Sequence, residues 1–166
     1  MQLFKKYFPD ESRVPQDDIF CNNANAALLK SAWSDHRFDE SLTGLEDMEL
    51  AKRLVATGKR IGYISEASVH HIHEESWRRV RTRYEREALA LQRILPEVHV
   101  SIADCARYFI VGVLLDWGQA VRDRVFRPNA WPIVAFRAMQ YWGTWRGNNE
   151  HRQMSMRRRE AYFYPR

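Results

Sequence analysis

The sequence predicts an α/β chain that is mostly helical and has a few short strands. Three long stretches, at about residues 74–96, 102–126 and 132–145, carry apolar residues at helical spacing. Two short apolar stretches, residues 60–65 and 67–73, are instead typical of extended backbone. No apolar run reaches the ~18–20 residues that a transmembrane helix needs.

The composition is that of a globular protein. Of the 166 residues, 45% are hydrophobic and 28% are charged, which argues against a disordered chain. Cys21 and Cys105 are too few for a disulfide framework or a zinc site, and no apolar stretch of a signal peptide follows Met1. A secreted mini-protein, a collagen-like chain and a polytopic membrane protein are therefore excluded, and we expect a reducing, cytosolic setting.

Charge is distributed unevenly along the chain. Residues 1–75 contain nine Lys and Arg against 13 Asp and Glu, a net charge of −4. Residues 76–166 contain 17 basic residues, all Arg, against eight acidic ones, a net charge of +9. Arg forms bidentate contacts with phosphate. The second part therefore either faces the phosphates of lipid or nucleic acid, or presents ordinary solvated helix faces.

The N-terminal half is expected to contain one well-marked helix after a loop. Phe20 and Cys21 are placed at a strand end, and the Asn cluster that follows suits a turn. Residues 43–46 have the S/T-x-x-E form of a capping box and predict a helix start. Gly58 is expected just past the end of that helix.

The first long helix of the second half has an apolar stripe through Trp77, Val80 and Tyr84, ended by Pro96. At ~100° per residue, Arg81 falls within about 40° of this stripe. An Arg at the edge of an apolar face usually has an acidic or phosphate partner. Arg81 is therefore a candidate for phosphate binding, with a structural salt bridge as the alternative.

Glu46 and Asp47 are adjacent carboxylates at a predicted helix N-terminus. The field of the helix dipole favours an ionised carboxylate there, as a general base requires. Alternatively, Glu46 closes the capping box on the N–H of Thr43, and acidic residues are common in first turns.

The string His70-His71-Ile72-His73 follows the second extended stretch. Alternate side chains of a strand share a face, so His71 and His73 point the same way. Two imidazoles can bind a divalent metal, although a complete site needs further ligands. The alternative is histidines that are exposed or hydrogen-bonded.

The cluster Asn22-Asn23-Ala24-Asn25 offers side-chain amides. Such amides bond a sugar hydroxyl or a base edge, and they also satisfy the backbone of a turn. The local pattern favours the turn.

Five short motifs follow one another along the chain: F-x-x-x-A-N at residues 20–25, F-D-E at 38–40, G-x-E-D at 44–47, G-[KR]-x-I-x-Y at 58–63 and A-x-V-x-H at 67–71. In this order they resemble the acceptor-side half of the family 2 glycosyltransferases, the inverting enzymes of the GT-A fold, over roughly residues 18–90. The resemblance implies the C-terminal half of a GT-A nucleotide-sugar transferase fold, mostly helical with a few short strands.

The resemblance also implies roles for single residues. Asp47 would be the catalytic base that takes a proton from an acceptor hydroxyl, and Glu46 would support it or line the acceptor pocket. His71, with His73 second, would help to bind a divalent cation, Mg²⁺ or Mn²⁺, beside the nucleotide diphosphate. The residues expected to bind acceptor or donor are Asn23, Asn25, Trp77 and Arg81.

In domain terms, residues 1–95 would be the acceptor and catalytic half of a GT-A domain, and residues 96–166 a helical C-terminal extension. The family's N-terminal nucleotide-binding half, with its D-x-D motif, is absent, so we expect a fragment, a remnant or a split chain that receives that half in trans. Apolar surface is then expected to be exposed near residues 19–30 and 58–70, where the missing sheet would pack.

The expected function is transfer of a sugar from a nucleotide-sugar to a glycan or lipid-linked acceptor, with inversion, in bacterial surface polysaccharide synthesis. The expected location is cytoplasmic, with a peripheral position at the inner face of the plasma membrane as an option. Nucleic acid is not expected as a partner of such an enzyme.

The alternative function is that of a non-enzymatic Arg-rich helical module that binds anionic membrane or nucleic acid. Membrane contact would use Trp and Arg residues of the second half, which otherwise pack between helices: Trp117, Arg122, Arg124, Trp131, Trp142 and Trp145.

Overall fold

The computed structural model describes residues 8–69 and 75–150. Residues 8–69 belong to one compact unit and residues 75–150 to a second. Within these ranges the first unit contains a 3₁₀ turn and two helices, and the second contains three longer helices.

A small apolar cluster holds the elements of the first unit together. These elements are the 3₁₀ turn Asn23–Asn25, helix α1 at Lys30–Asp35 and helix α2 at Glu46–Ala56. Leu50 and Leu54 of α2 are buried with Ala32 of α1, and Trp33 and Phe38 pack against this cluster. The two aromatic rings meet edge to face with centroids 4.9 Å apart. The apolar residues predicted to share one face of α2 were Met48, Ala51, Leu54 and Val55. Ala51 and Leu54 are buried as predicted, whereas Val55 is exposed and Leu50 is buried in addition.

The two ends of α2 differ in how well the sequence predicted them. The helix begins at Glu46, and its N-cap is Leu45, whose side chain makes no capping hydrogen bond. The predicted capping box, with Thr43 as the cap, is therefore wrong. At the other end Gly58 follows the helix with a φ of 81°, so the predicted glycine terminus is confirmed.

The predicted α/β fold class is wrong, because residues 8–69 and 75–150 form helices and turns but no strand and no sheet. The expected half of a GT-A sheet is therefore not present in the described chain. Neither the expected strand end at residues 20–21 nor the described part of the stretch 67–73 adopts strand structure. The stretch 60–65 makes a single antiparallel bridge, between Arg13 and Tyr63.

A proline limits this bridge. Arg13 and Tyr63 exchange two backbone hydrogen bonds of 2.8 Å. The next hydrogen-bonded pair of an antiparallel ladder would join Pro15 to Ile61, but Pro15 has no N–H to donate. The N–H of Gln16 bonds the Ile61 carbonyl instead, at 2.8 Å. Residues 60–65 therefore form only one bridge pair, whereas a strand requires several consecutive pairs.

Large apolar side chains are exposed in both stretches where a missing sheet was expected to pack, and that prediction is confirmed. The exposed side chains there are Leu28, Leu29, Ile64 and Val69.

The second unit is built from helices α3 at Trp77–Ile94, α4 at Ile102–Arg122 and α5 at Phe126–Asn148. Helix α5 packs against both α3 and α4. The three predicted long helices are thus confirmed, although α5 begins before Pro132 and continues through it. Ser76 caps α3, and Ser101 forms a reciprocal capping box with Asp104 at the start of α4.

The backbones of α3 and α5 lie in direct contact at two glycines. A Cβ atom on Gly143 would overlap the carbonyl oxygen of Arg81, and one on Gly147 would overlap that of Glu85. Residues four apart share one face of a helix, so the two glycines form a single flat contact surface. Next to it the buried Glu85 pairs with Arg146 at 3.4 Å.

Polar contacts join α4 to α5. The Asp116 carboxylate lies 2.7 Å from Nε of Arg137, and Nε1 of Trp117 donates to the carbonyl of Ala130 at 3.1 Å. Trp117 therefore packs between helices, which was the alternative to membrane contact considered for this residue. None of the helices in residues 8–69 and 75–150 combines the length and the apolar character needed to cross a membrane.

Candidate functional site

Asp47 lies in the first turn of α2, and its carboxylate is held by two backbone groups. Oδ2 accepts the N–H of Asn23 at 2.8 Å, and Oδ1 accepts the N–H of Met48 at 2.8 Å. The first bond joins residues 24 positions apart in sequence. It therefore fixes the Asn turn against the N-terminus of α2.

The Asn cluster forms the predicted turn. Oδ1 of Asn22 accepts the N–H of Ala24 at 2.9 Å and caps the 3₁₀ turn. The side-chain amide of Asn25 donates to the carbonyl oxygen of Ala67. The exposed side chain of Asn23 has no hydrogen-bond partner in the part of the chain that the structure describes. Asn23 is thus the member of the cluster whose side-chain oxygen and nitrogen are both available to a ligand, whereas Asn22 and Asn25 each use one of these atoms within the fold.

Three of the five motif elements meet through these bonds. Asn23 ties the first element, residues 20–25, to the E-D element at residues 44–47, and Asn25 ties it to Ala67 at the start of the last element. Of the eight predicted site residues, this cluster brings together Asn23, Asn25, Glu46 and Asp47.

Cys21 belongs to this cluster, and the sequence analysis did not identify it. Burial, and to a smaller extent the negative charges of Asp47 and Glu46, together raise the pKa of the Cys21 thiol to about 12. The thiol is therefore protonated at neutral pH and stays beside the carboxylates as a neutral group. The position of Cys21 inside the first motif element, residues 20–25, was the sequence feature that could have identified it as a site residue.

Leu45, directly before the two carboxylates, was also missed. Its φ of 56° is left-handed, a conformation that is uncommon for a residue with a branched side chain. Such conformations concentrate at functional sites, where the surrounding structure maintains them. Here the turn at Leu45 starts α2 directly at Glu46 and Asp47.

Trp77 and Arg81 lie one turn apart on α3, in the second unit. Trp77 is exposed, whereas Nε of Arg81 is buried and has no hydrogen-bond partner within the described residues. The structural salt bridge considered for Arg81 is not formed there. The nearby buried carboxylate, Glu85, pairs with Arg146 instead.

The predicted metal ligands His71 and His73 lie outside the described residues. Among residues 8–69 and 75–150, no three His, Cys, Asp or Glu side chains are grouped closely enough to hold a metal ion. The described residues alone therefore do not fit a complete Mg²⁺ or Mn²⁺ site.

An open groove of about 470 Å³ runs between α4 and α5, lined by side chains such as Phe109, Met139 and Trp142. Its lining is almost entirely apolar, with Tyr141 and Cys105 as the exceptions. Such walls do not suit a nucleotide diphosphate or a bare sugar, which need several polar partners.

No family model matches the chain, and no curated protein or solved structure is significantly similar to it. The family resemblance therefore depends on the five motif elements themselves.

Proposed function

We propose that the chain is a glycosyltransferase component similar to family 2, which moves a sugar from a nucleotide-sugar to a glycan or lipid-linked acceptor with inversion. The observation that supports the proposal is the hydrogen bond from Asn23 to Asp47, which joins two motif elements at one carboxylate. A GT-A sheet is not part of this proposal.

Asp47 acts as the general base. A carboxylate has about four acceptor positions, and the N–H groups of Asn23 and Met48 occupy two of them. These bonds orient the group and leave acceptor capacity for a hydroxyl. The acceptor hydroxyl gives its proton to Asp47 as its oxygen bonds to the anomeric carbon. The bond from that carbon to the diphosphate breaks, and the nucleoside diphosphate leaves.

The remaining predicted residues have supporting roles in the proposal. The amide of Asn23 bonds an acceptor hydroxyl, Glu46 lines the acceptor pocket, and Trp77 and Arg81 contribute to acceptor or donor binding. A Mg²⁺ or Mn²⁺ ion at His71, with His73 second, would offset charge on the leaving diphosphate. Donor binding needs a nucleotide-binding half that residues 8–69 and 75–150 do not form. The proposed location is cytoplasmic, in bacterial surface polysaccharide synthesis.

The test is turnover of nucleotide-sugars by the full chain together with the product of the adjoining reading frame. UDP-, GDP- and dTDP-sugars are supplied with a polyprenyl-phosphate-linked sugar as the acceptor, and release of nucleoside diphosphate is measured. Asp47→Asn keeps the size of the side chain and an acceptor for the N–H of Asn23, but it removes the base. We expect transfer to fall by ~10²–10⁴-fold.

The matched control is Asp35→Asn, which makes the same chemical change at an exposed position at the end of α1. It should transfer at the unmodified rate. Near-normal transfer by Asp47→Asn would remove Asp47 as the base. A complex that turns over none of the donors would contradict the glycosyltransferase proposal itself.

A further inference from the structure

Helix α4 is apolar on two opposite sides. Its buried positions face the rest of the second unit and are Cys105, Gly112, Val113 and Ala120. Four large apolar residues point to the other side and are exposed. These residues, named here the α4 outer stripe, are Ile110, Val111, Leu114 and Val121. At ~100° per residue they fall within an arc of about 100° whose centre lies roughly opposite the buried positions.

An exposed stripe of this kind needs an apolar neighbour. Leu114 is 58% exposed and Val121 60% exposed, although a helix that is apolar on all sides is normally buried. The stripe extends over about three turns of α4, which is more than isolated surface residues account for.

The charges around the stripe are cationic. Arg107 lies in the same arc, one turn before Ile110. Of the acidic residues of α4, Asp116 lies on the buried side and pairs with Arg137. Asp104 lies just outside the edge of the arc, where it bonds Ser101 in the capping box. Within α4 no carboxylate lies in the arc of the stripe.

The turn from α4 to α5 adds further cationic and apolar side chains next to the stripe. Arg122, Arg124 and Arg127 are exposed, and the one acidic residue among them, Asp123, accepts hydrogen bonds from Gln119. Trp131 is 73% exposed on the first turns of α5. We name these four residues, Arg122, Arg124, Arg127 and Trp131, the hairpin end.

We propose that the α4 outer stripe and the hairpin end dock on an anionic lipid bilayer. The apolar side chains enter the boundary between headgroups and acyl chains, the Arg side chains bond lipid phosphates, and Trp131 lies at headgroup level. The proposal is independent of glycosyl transfer.

Charge complementarity favours the bilayer over other occupants. Two copies of this surface would bring Arg107 of one chain against the cations of the other, with no carboxylate inside the arc to pair with it. A nucleic acid would use the cations but would leave four large apolar side chains in water. Only a surface that is both anionic and apolar matches both features.

The experiment measures flotation of the full chain with large unilamellar vesicles of phosphatidylglycerol and phosphatidylcholine at a 3:7 ratio, or of phosphatidylcholine alone. We expect binding to the anionic vesicles and little to the neutral ones. Arg124→Gln with Arg127→Gln should weaken binding ~25-fold, since each Arg near an anionic surface contributes about a fivefold factor. Arg78→Gln with Arg79→Gln on α3 makes the same change in charge and should leave binding unchanged.

A second pair, Val111→Ser with Leu114→Ser, leaves the charge unchanged and should weaken vesicle binding at least tenfold. Far-UV circular dichroism checks that each variant folds, and the Arg pair tests the proposal if the Ser pair does not fold. Three results would overturn the proposal. The first is a folded Ser pair that binds vesicles as tightly as the unmodified chain, and the second is a loss of binding in the α3 Arg pair as large as in the Arg124 and Arg127 pair. The third is a chain that binds no vesicles in any form but is a dimer in solution, which the Ser substitutions dissociate. Binding to duplex DNA that falls in the Arg pair, with no vesicle binding in the unmodified chain, would also contradict the proposal.

Discussion

The side-chain oxygen of Asn148 accepts the backbone N–H of Val100 at 2.6 Å, across 48 positions of sequence. The amide nitrogen of the same side chain donates to the carbonyl of Val98 at 2.9 Å. Asn148 is 1% exposed. One buried amide at the end of α5 therefore satisfies two half-buried backbone groups of the loop between α3 and α4.

We expect Asn148→Ala to lower the free energy of unfolding by about 2–4 kcal/mol. The substitution leaves one donor and one acceptor without partners, and each unsatisfied buried group costs ~1–3 kcal/mol. Urea unfolding of the full chain, followed by far-UV circular dichroism, measures the change. Asn129→Ala is the control, because its amide bonds the Val125 carbonyl at an exposed position. A loss in Asn148→Ala no larger than in Asn129→Ala would contradict the role of Asn148.

Gly143→Ala and Gly147→Ala are each expected to destabilise the second unit by about 1–3 kcal/mol. Ala favours a helix over Gly by ~1 kcal/mol. The added Cβ, however, meets the backbone of α3, where Arg81 and Glu85 cannot move as a flexible side chain would. Thermal unfolding of the full chain measures the balance of the two effects.

Gly118→Ala separates these two effects. A Cβ there has only the end of the Arg122 side chain near it, at 3.8 Å. The helix preference then acts alone, and we expect stabilisation of ~0.5–1 kcal/mol. If Gly143→Ala were stabilised as Gly118→Ala is, the close crossing of α3 and α5 would be wrong.

The sequence predicted the helices of this fold because their evidence is local. The spacing of apolar residues along α3 and α4, and the position of Gly58, require no knowledge of distant contacts. The strand at residues 60–65 could not be judged in this way, since a strand exists only if a partner pairs with it. The segment that pairs with it contains Pro15. Whether this proline interrupts the pairing depends on which residues stand opposite each other, and the sequence does not give that register.

The candidate site shows the same division. The motif order indicated Asp47 and the Asn turn, but not that the N–H of Asn23 bonds the Asp47 carboxylate. The chemistry considered for Cys21 was limited to a disulfide or a zinc site. Its proximity to Asp47 and Glu46 arises from contacts between residues distant in sequence, which local patterns do not show. That both polar atoms of the Asn23 amide are available, whereas Asn22 and Asn25 each use one of theirs, likewise depends on which turn the backbone adopts.

Asp116 is expected to make stability depend on pH in the acid range. Burial alone would raise the pKa of Asp116, but the hydrogen bond and the charge of Arg137 hold it below the ordinary value of 3.8. The stabilisation is therefore present above about pH 4 and is lost as the pH falls through the lowered value. Unfolding free energies measured between pH 2 and 6 should fall less steeply in Asp116→Asn than in the unmodified chain. Asp35→Asn should keep the unmodified slope, and equal slopes in all three proteins would contradict the prediction.

Cys21 should report the charge of Asp47 without any activity assay. Because burial and the carboxylates hold the thiol pKa at about 12, alkylation of Cys21 by iodoacetamide should be slow at pH 8–9. Asp47→Asn removes a negative charge and so lowers the thiol pKa, and alkylation should begin at a lower pH. Burial is the larger cause, so the pKa should stay above the ordinary value of 9.0. Peptide-level mass spectrometry distinguishes Cys21 from the buried Cys105, whose alkylation should be unchanged. Asp35→Asn should leave the Cys21 profile as it is, whereas an unchanged profile in Asp47→Asn would place the carboxylate away from the thiol.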